Sequence, residues 1–168
     1  MVKIEKAKYE DAQVALEIRR AAILNQCAGH YPMDILKAWA DVELSDEFAE
    51  SVEKNFYLAK YGDQVIGTGM MNTETGKIDA VFIHPDHMRK GAGKKIITCL
   101  ESVALNHGLK AATLQSTLNA AGFYRACGFV GNKMETYTTS RGVSLDCIPM
   151  TKVIARQGAP GDARKRRG

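Results

Sequence analysis

Residues 81–95 read Val81-Phe82-Ile83-His84-Pro85-Asp86-His87-Met88-Arg89-Lys90-Gly91-Ala92-Gly93-Lys94-Lys95. An apolar β-type run enters a proline turn, then a basic loop with two glycines. An amphipathic stretch follows, in which Ile96, Ile97, Leu100, Val103 and Ala104 recur at helical spacing until Gly108. Strand, glycine loop and helix in this order suit a phosphate or pyrophosphate. The glycines let the backbone turn tightly and approach a ligand with no Cβ in the way. The helix start offers unpaired N–H groups and the positive end of its dipole. Arg89, Lys90 and Lys94 add countercharge.

Two widespread phosphate patterns fail here. A P-loop ending at Gly93-Lys94 would need glycine at Met88 and Ser or Thr at Lys95. A dinucleotide fingerprint starting at Gly91 and Gly93 would need a glycine at Ile96. It would also open the first βαβ unit, whereas this loop follows a run of antiparallel strands.

Outward from the loop, Phe56–Lys60, Gln64–Met71 and Lys77–His84 read as a meander, with turns at Tyr61-Gly62-Asp63 and Thr73-Glu74-Thr75-Gly76. Upstream lie a short strand over Val2–Ala7 and helices over Tyr9–Cys27, Met33–Ala40 and Asp46–Glu53. Downstream, Ala111–Gln115 reads as a strand and Asn119–Cys127 as a short helix ended by Gly128. Phe129–Thr138 and Ser144–Val153 read as two closing strands. The expected fold is therefore a single α/β domain over residues 1–154, with a mixed, mostly antiparallel central sheet flanked by helices. Its 168 residues suit one domain. A composition 45% hydrophobic and 25% charged excludes a largely disordered chain.

The net charge of +4 suggests a polyanion partner until it is located. Residues 156–168 hold Arg156, Arg164, Lys165, Arg166 and Arg167 against Asp162, and the rest of the chain is balanced. Residues 155–168 read as a basic, disordered tail, and no basic stripe with interleaved aromatics marks a nucleic-acid binder. Cys27, Cys99, Cys127 and Cys147 are scattered, with no paired spacing for a metal, and read as reduced thiols. No signal-peptide pattern and no run of about 20 apolar residues occurs, so a cytoplasmic protein without membrane contact is expected.

A second motif stands at Leu118-Asn119-Ala120-Ala121-Gly122-Phe123-Tyr124-Arg125-Ala126-Cys127-Gly128-Phe129. With the glycine loop it resembles the GCN5-related N-acetyltransferase (GNAT) family. That family's loop reads Q/R-x-x-G-x-G/A after a short x-P-D/E turn, and its later segment reads N-x-x-A/G-x-x-F/L-Y-x-x-x-G-F. Gly91, Gly93 and His84-Pro85-Asp86 fit the first pattern, and Asn119, Phe123, Tyr124, Gly128 and Phe129 fit the second. Met88 departs from the usual Gln or Arg, and only three residues separate Asn119 from Phe123. The resemblance is tight at 81–95 and 115–129 and extends as pattern over 2–153.

The resemblance implies direct acetyl transfer from acetyl-CoA to a primary amine of a small molecule, without a metal. It assigns the pyrophosphate to Met88, Arg89, Lys90, Gly91, Ala92, Gly93 and Lys94, and further cofactor contacts to Asn119 and Tyr124. Backbone groups of Val81, Phe82 and Ile83 would pair with the pantetheine arm in a cleft where Lys77–His84 parts from Ala111–Gln115. Tyr124 would be the general acid, since a phenol of pKa near 10 stays protonated at pH 7. Asp79, expected by alternation on the face of Val81 and Ile83, and His84 are candidate bases. His30, Tyr31, Trp39 and Met70 are candidate acceptor contacts. The alternatives are a protein or peptide acetyltransferase and a catalytically inactive CoA-binding sensor. A monomer or homodimer fits either case.

Overall fold

The computed structural model describes residues 1–155. The expected tail therefore lies, from residue 156 onward, outside the described residues. Seven strands form one sheet in the order β1-β2-β3-β4-β5-β7-β6. They are β1 (Val2–Lys6), β2 (Phe56–Tyr61), β3 (Gln64–Asn72), β4 (Lys77–Ile83), β5 (Ala111–Ser116), β6 (Glu135–Thr138) and β7 (Ser144–Val153). Every pairing is antiparallel except β4 with β5. The helices are α1 (Ala12–Gln26), α2 (Met33–Ala40), α3 (Asp46–Asn55), α4 (Ala92–Asn106) and α5 (Ala121–Ala126). This is the expected mixed sheet with helices, in a single domain. No helix among the described residues is long and apolar enough to cross a membrane.

Two cores sandwich the sheet. On one face α4 lays Ile96, Ile97, Leu100 and Ala104 against Met71, Ile78, Ala112 and Leu114. On the other, α1 and α3 bury Ala15, Val52 and Leu58, and α1 and α2 bury Ile23, Cys27 and Leu36. Each large apolar side chain so enclosed contributes roughly 1.5–3 kcal/mol. All four cysteines are free thiols.

The pairing of β4 with β5 positions the site. It covers only Lys77↔Thr113 and Ile78↔Leu114, with Gly76 accepting from the Thr113 N–H at 3.0 Å. Beyond Ile78 the two strands part. At the same place the β3–β4 register slips: Met71 faces Ile78 and Met70 faces Ala80, leaving Asp79 as the extra residue of a bulge. A bulge bends its strand and increases its twist, which is how β4 leaves β5 while remaining paired to β3.

Two expectations need correction. The strand expected over Phe129–Thr138 survives as Glu135–Thr138, with one isolated bridge between Val130 and Thr151. The reason is Pro149 on β7. Thr151 exchanges both backbone hydrogen bonds with Val130, so by alternation residue 149 should also donate toward that side, and a proline has no N–H to donate. The helix expected from Tyr9 begins as a turn of 3-10 helix over Tyr9–Asp11 and becomes α-helical at Ala12.

β3 carries Gly67 and Gly69 on the face under α4, and a Cβ on Gly69 would lie 2.2 Å from Cγ2 of Ile96. Gly69→Ala is expected to lower stability by about 1–3 kcal/mol through overpacking. Urea denaturation checks this, with Gly122→Ala, which meets nothing within 4 Å, as the control.

Candidate active site

The glycine loop folds as its composition requires. Gly91 caps α4 at φ +80°, a left-handed conformation, and Arg89 also sits at φ 65°. A Cβ at Gly91 would meet nothing within 4 Å, so open space stands directly over the helix N-terminus. Lys95 N–H is the first of the helix to find an intrahelical partner, Gly91, at 3.1 Å. Those of Ala92, Gly93 and Lys94 precede it and point toward that space. At Gly93 the need is close approach instead: a Cβ there would lie 2.9 Å from the Phe123 ring. The two sequence motifs touch at this contact.

Between them lies a cavity of about 510 Å³, lined by Val81 and Ile83 of β4, by Met88, Arg89 and 91–94 of the loop, and by Asn119, Phe123 and Tyr124. His84 donates its N–H to Ile66 on β3, so by alternation the backbone groups of Val81 and Ile83 face the parted side. Phe82 differs from its neighbours. Its backbone faces β3, and its side chain lines the cavities on the opposite sheet face beside Trp39. Gln26, the last residue of α1, donates to the Ile83 carbonyl at 2.8 Å and to the Met88 sulfur at 3.1 Å. Lys90 does not line the cavity. Its ammonium sits 4.3 Å from the Tyr61 ring centroid and 3.1 Å from Nδ1 of His87.

Tyr124 joins this cavity to a second, smaller one, whose lining includes Gln26, Cys27, Trp39, Asp79, Val81, Phe82, Gln115, Thr117 and Asn119. It is only 8% exposed, and its ring stacks edge-on with Phe123 and Phe129. Burial, with Cys127 adding to it, pushes the phenol well above its ordinary pKa, so it stays protonated throughout the physiological range. Asn119 lines both cavities and keeps its Oδ1 buried without a partner among the described residues. A third cavity of about 270 Å³ continues outward past Asp79, Trp39 and Phe82 to Arg19, Thr68, Met70 and Arg141.

The bulge overturns the alternation at Asp79. Val81 and Ile83 pack toward α4, whereas Asp79 lines the third cavity with Phe82 and Arg19. Among the described residues it is the one carboxylate lining the second and third cavities. Burial raises its pKa, and Lys77, 3.8 Å away, opposes that in part.

Trp39 and Met70 reach the third cavity, but His84, His30 and Tyr31 line none of the cavities described here. His84 Nδ1 accepts from the Asp86 N–H at 3.1 Å and caps the proline turn. His30 is exposed in the turn after α1. The Tyr31 hydroxyl donates to the Asp146 carbonyl and accepts from the Leu118 N–H, clasping three segments together. Sequence reasoning missed Gln26, Arg19, Thr68 and Arg141. Only folding brings them to the cleft, and no local pattern marks them.

The acetyltransferase (GNAT) family model matches residues 21–129. A protein of Bacillus subtilis (strain 168), named for a conjectured acetyltransferase activity, is 28% identical over 152 residues, which cover 85% of this chain and 90% of that one. The crystal structure of a GCN5-related N-acetyltransferase from Rhodopseudomonas palustris, also named a class-II aminotransferase, superposes with TM-score 0.82 at 25% identity, covering 90% of this chain and 94% of that one. The paiA N-acetyltransferase of Thermoplasma acidophilum, solved with coenzyme A, gives TM-score 0.69 at 18% identity over 91% and 99% of the two chains. The glycine loop and the Tyr124 segment both lie inside the matched span, and the chain belongs to the acetyltransferase (GNAT) family.

Proposed function

We propose that the chain transfers an acetyl group from acetyl-CoA to a primary amine of a small molecule. The observation that carries this is the position of Tyr124, between a cavity walled by a helix N-terminus and a cavity holding a carboxylate. Acetyl-CoA fits the first cavity by its chemistry. The space over Gly91 accepts a pyrophosphate, with the N–H groups of Ala92, Gly93 and Lys94 and the side chains of Arg89 and Lys94 as donors. The unpaired backbone of Val81 suits the amides of pantetheine, in the manner of an added strand. Bound there, it supplies a thioester whose C–S bond is exchanged for an N–C bond to the amine, with one proton moving from nitrogen toward sulfur.

The chain's own groups then have distinct tasks. The Val81 N–H stabilises charge that develops on a carbonyl oxygen beside β4, next to Phe82 and the buried Tyr124. Tyr124 donates a hydrogen bond to a sulfur becoming negative. Its raised pKa makes complete proton transfer uphill unless the same dry surroundings raise the basicity of the thiolate. Asp79 orients the acceptor ammonium and receives its proton. Cavities of about 90 and 270 Å³ suit a small acceptor better than a peptide.

Thiol release from acetyl-CoA against an amine library tests the activity directly. Tyr124→Phe is expected to lower kcat by about 100-fold or more with coenzyme A affinity little changed; an unchanged kcat removes Tyr124 from the mechanism. Gly91→Val, which places a branched side chain at φ +80° over the helix start, is expected to abolish coenzyme A binding in calorimetry while the protein still melts cooperatively. The pH profile addresses Asp79. Because the ionised form acts and burial raises its pKa, kcat/KM should climb with pH through a value above the usual carboxylate range. Asp79→Asn should remove that limb and keep the one set by the amine.

A further inference from the structure

The outermost of the three cavities, about 270 Å³, has an unusual balance of charge. Arg19 enters it from α1, and Arg141 enters from the hairpin loop joining β6 to β7. Each uses one guanidinium nitrogen on a backbone carbonyl of α2: Arg19 donates to Trp39 at 2.8 Å and Arg141 to Ala38 at 2.9 Å. A guanidinium has five N–H donors, so most remain free on both. Among the described residues neither arginine lies within salt-bridge distance of a carboxylate. The Arg19 Nε is buried and unpartnered, and so is Oγ1 of Thr68, a residue 0% exposed on the cavity floor. Burial, reinforced by the charge of Arg141, pushes Arg19 down to about 10, which leaves it cationic at physiological pH.

Arg19 stands half-buried beside unsatisfied buried polar groups, with no charge partner among the described residues. Arg141, exposed at the cavity mouth, adds a second positive charge, so an anion bound between them would complete both. We propose that the acceptor is a small primary amine carrying its own anionic group, a carboxylate or a phosphate, which Arg19 and Arg141 hold while the amine faces Asp79. This rests on the acetyl-transfer reading and names its substrate class. The cavities set the direction. Asp79, Trp39 and Phe82 line both this cavity and the one reaching Tyr124, whereas Arg141 also borders the outer depression. Cationic and anionic ends of the cleft are thus arranged to receive a molecule with the opposite polarity. Between them Trp39 and Phe82, which pack 5.6 and 5.4 Å from the Arg19 guanidinium, form an apolar wall for the acceptor's body. The charged groups facing Arg141 from outside are Asp41, Glu43 and Glu47, none within 4.0 Å of it, and they repel an anion from the rim while the inner donors hold it.

Matched acceptor pairs test this: phenylalanine against phenylalaninamide, and phosphoethanolamine against ethanolamine. Thiol release from acetyl-CoA gives kcat/KM, and calorimetry in the presence of coenzyme A gives affinity without turnover. The anionic member of at least one pair is expected to be better by about 100-fold, and which pair shows it separates carboxylate from phosphate. Arg141→Gln retains a donor for the Ala38 carbonyl. It should raise KM for that anionic amine at least tenfold, leave its neutral partner unchanged, and be partly rescued by Arg141→Lys. Equal or better use of the neutral amines, or equal losses on both, overturns the proposal. Acetyl transfer confined to neutral amines would sink the anion site and keep the activity. Selective binding of the anionic amines without turnover would keep the anion site and sink the activity.

Discussion

The structure depends on a failure of pairing. β4 and β5 share two register positions and then separate, and in a sheet this abandons strong hydrogen-bonding groups on both edges. A buried backbone polar group left unpaired costs about 1–3 kcal/mol, so the gap has to be filled by side chains, water or ligand. Gln26 fills part of it by donating to Ile83. The bulge at Asp79 makes the separation possible, because it bends β4 without releasing it from β3. The α4 side packs Ile96 against a glycine to hold β3 and β4 in place while the other flank opens.

Around that opening the chain grades its electrostatics. A helix N-terminus with Arg89 and Lys94 makes one end positive, a nearly dry tyrosine occupies the centre, and a carboxylate and two arginines follow on the far side. Basic residues close in sequence are sorted by use. Lys94 faces the cavity, Lys95 is committed to the Val2 carbonyl at 2.8 Å, and Lys90 lies over Tyr61. Proximity in sequence to the glycine loop is therefore a poor guide to which ammonium faces the cavity.

What could be read from the sequence divides along physical lines. Gly91, Gly93 and Tyr124 were legible because their constraints are local: a positive φ, a close approach, a phenol on a short helix. The mixed, mostly antiparallel character of the sheet followed from the spacing of turns and helices. Asp79 could be singled out as a candidate, but its face was misjudged, since alternation assumes an unbroken register and a bulge is a property of two strands together. His84 offered a plausible base until its ring nitrogen was claimed by the turn it caps. The Phe129–Thr138 strand was shortened by a proline on its partner, Pro149, which no reading of 129–138 alone could reveal. Arg19 and Arg141 lie 122 positions apart and meet only because the last hairpin folds over α2.

Free strand edges are usually dangerous, because they template pairing with another molecule, and proteins protect the outer edges of sheets against this. Here the exposed segment of β4 lies inside the sheet, with α1 and α5 walling it through Gln26 and Tyr124. An extended arm narrower than a β-strand can slide in, whereas a strand of a second molecule, with side chains on both faces, meets those walls. The chain keeps a ladder half-built inside the sheet without offering it to aggregation.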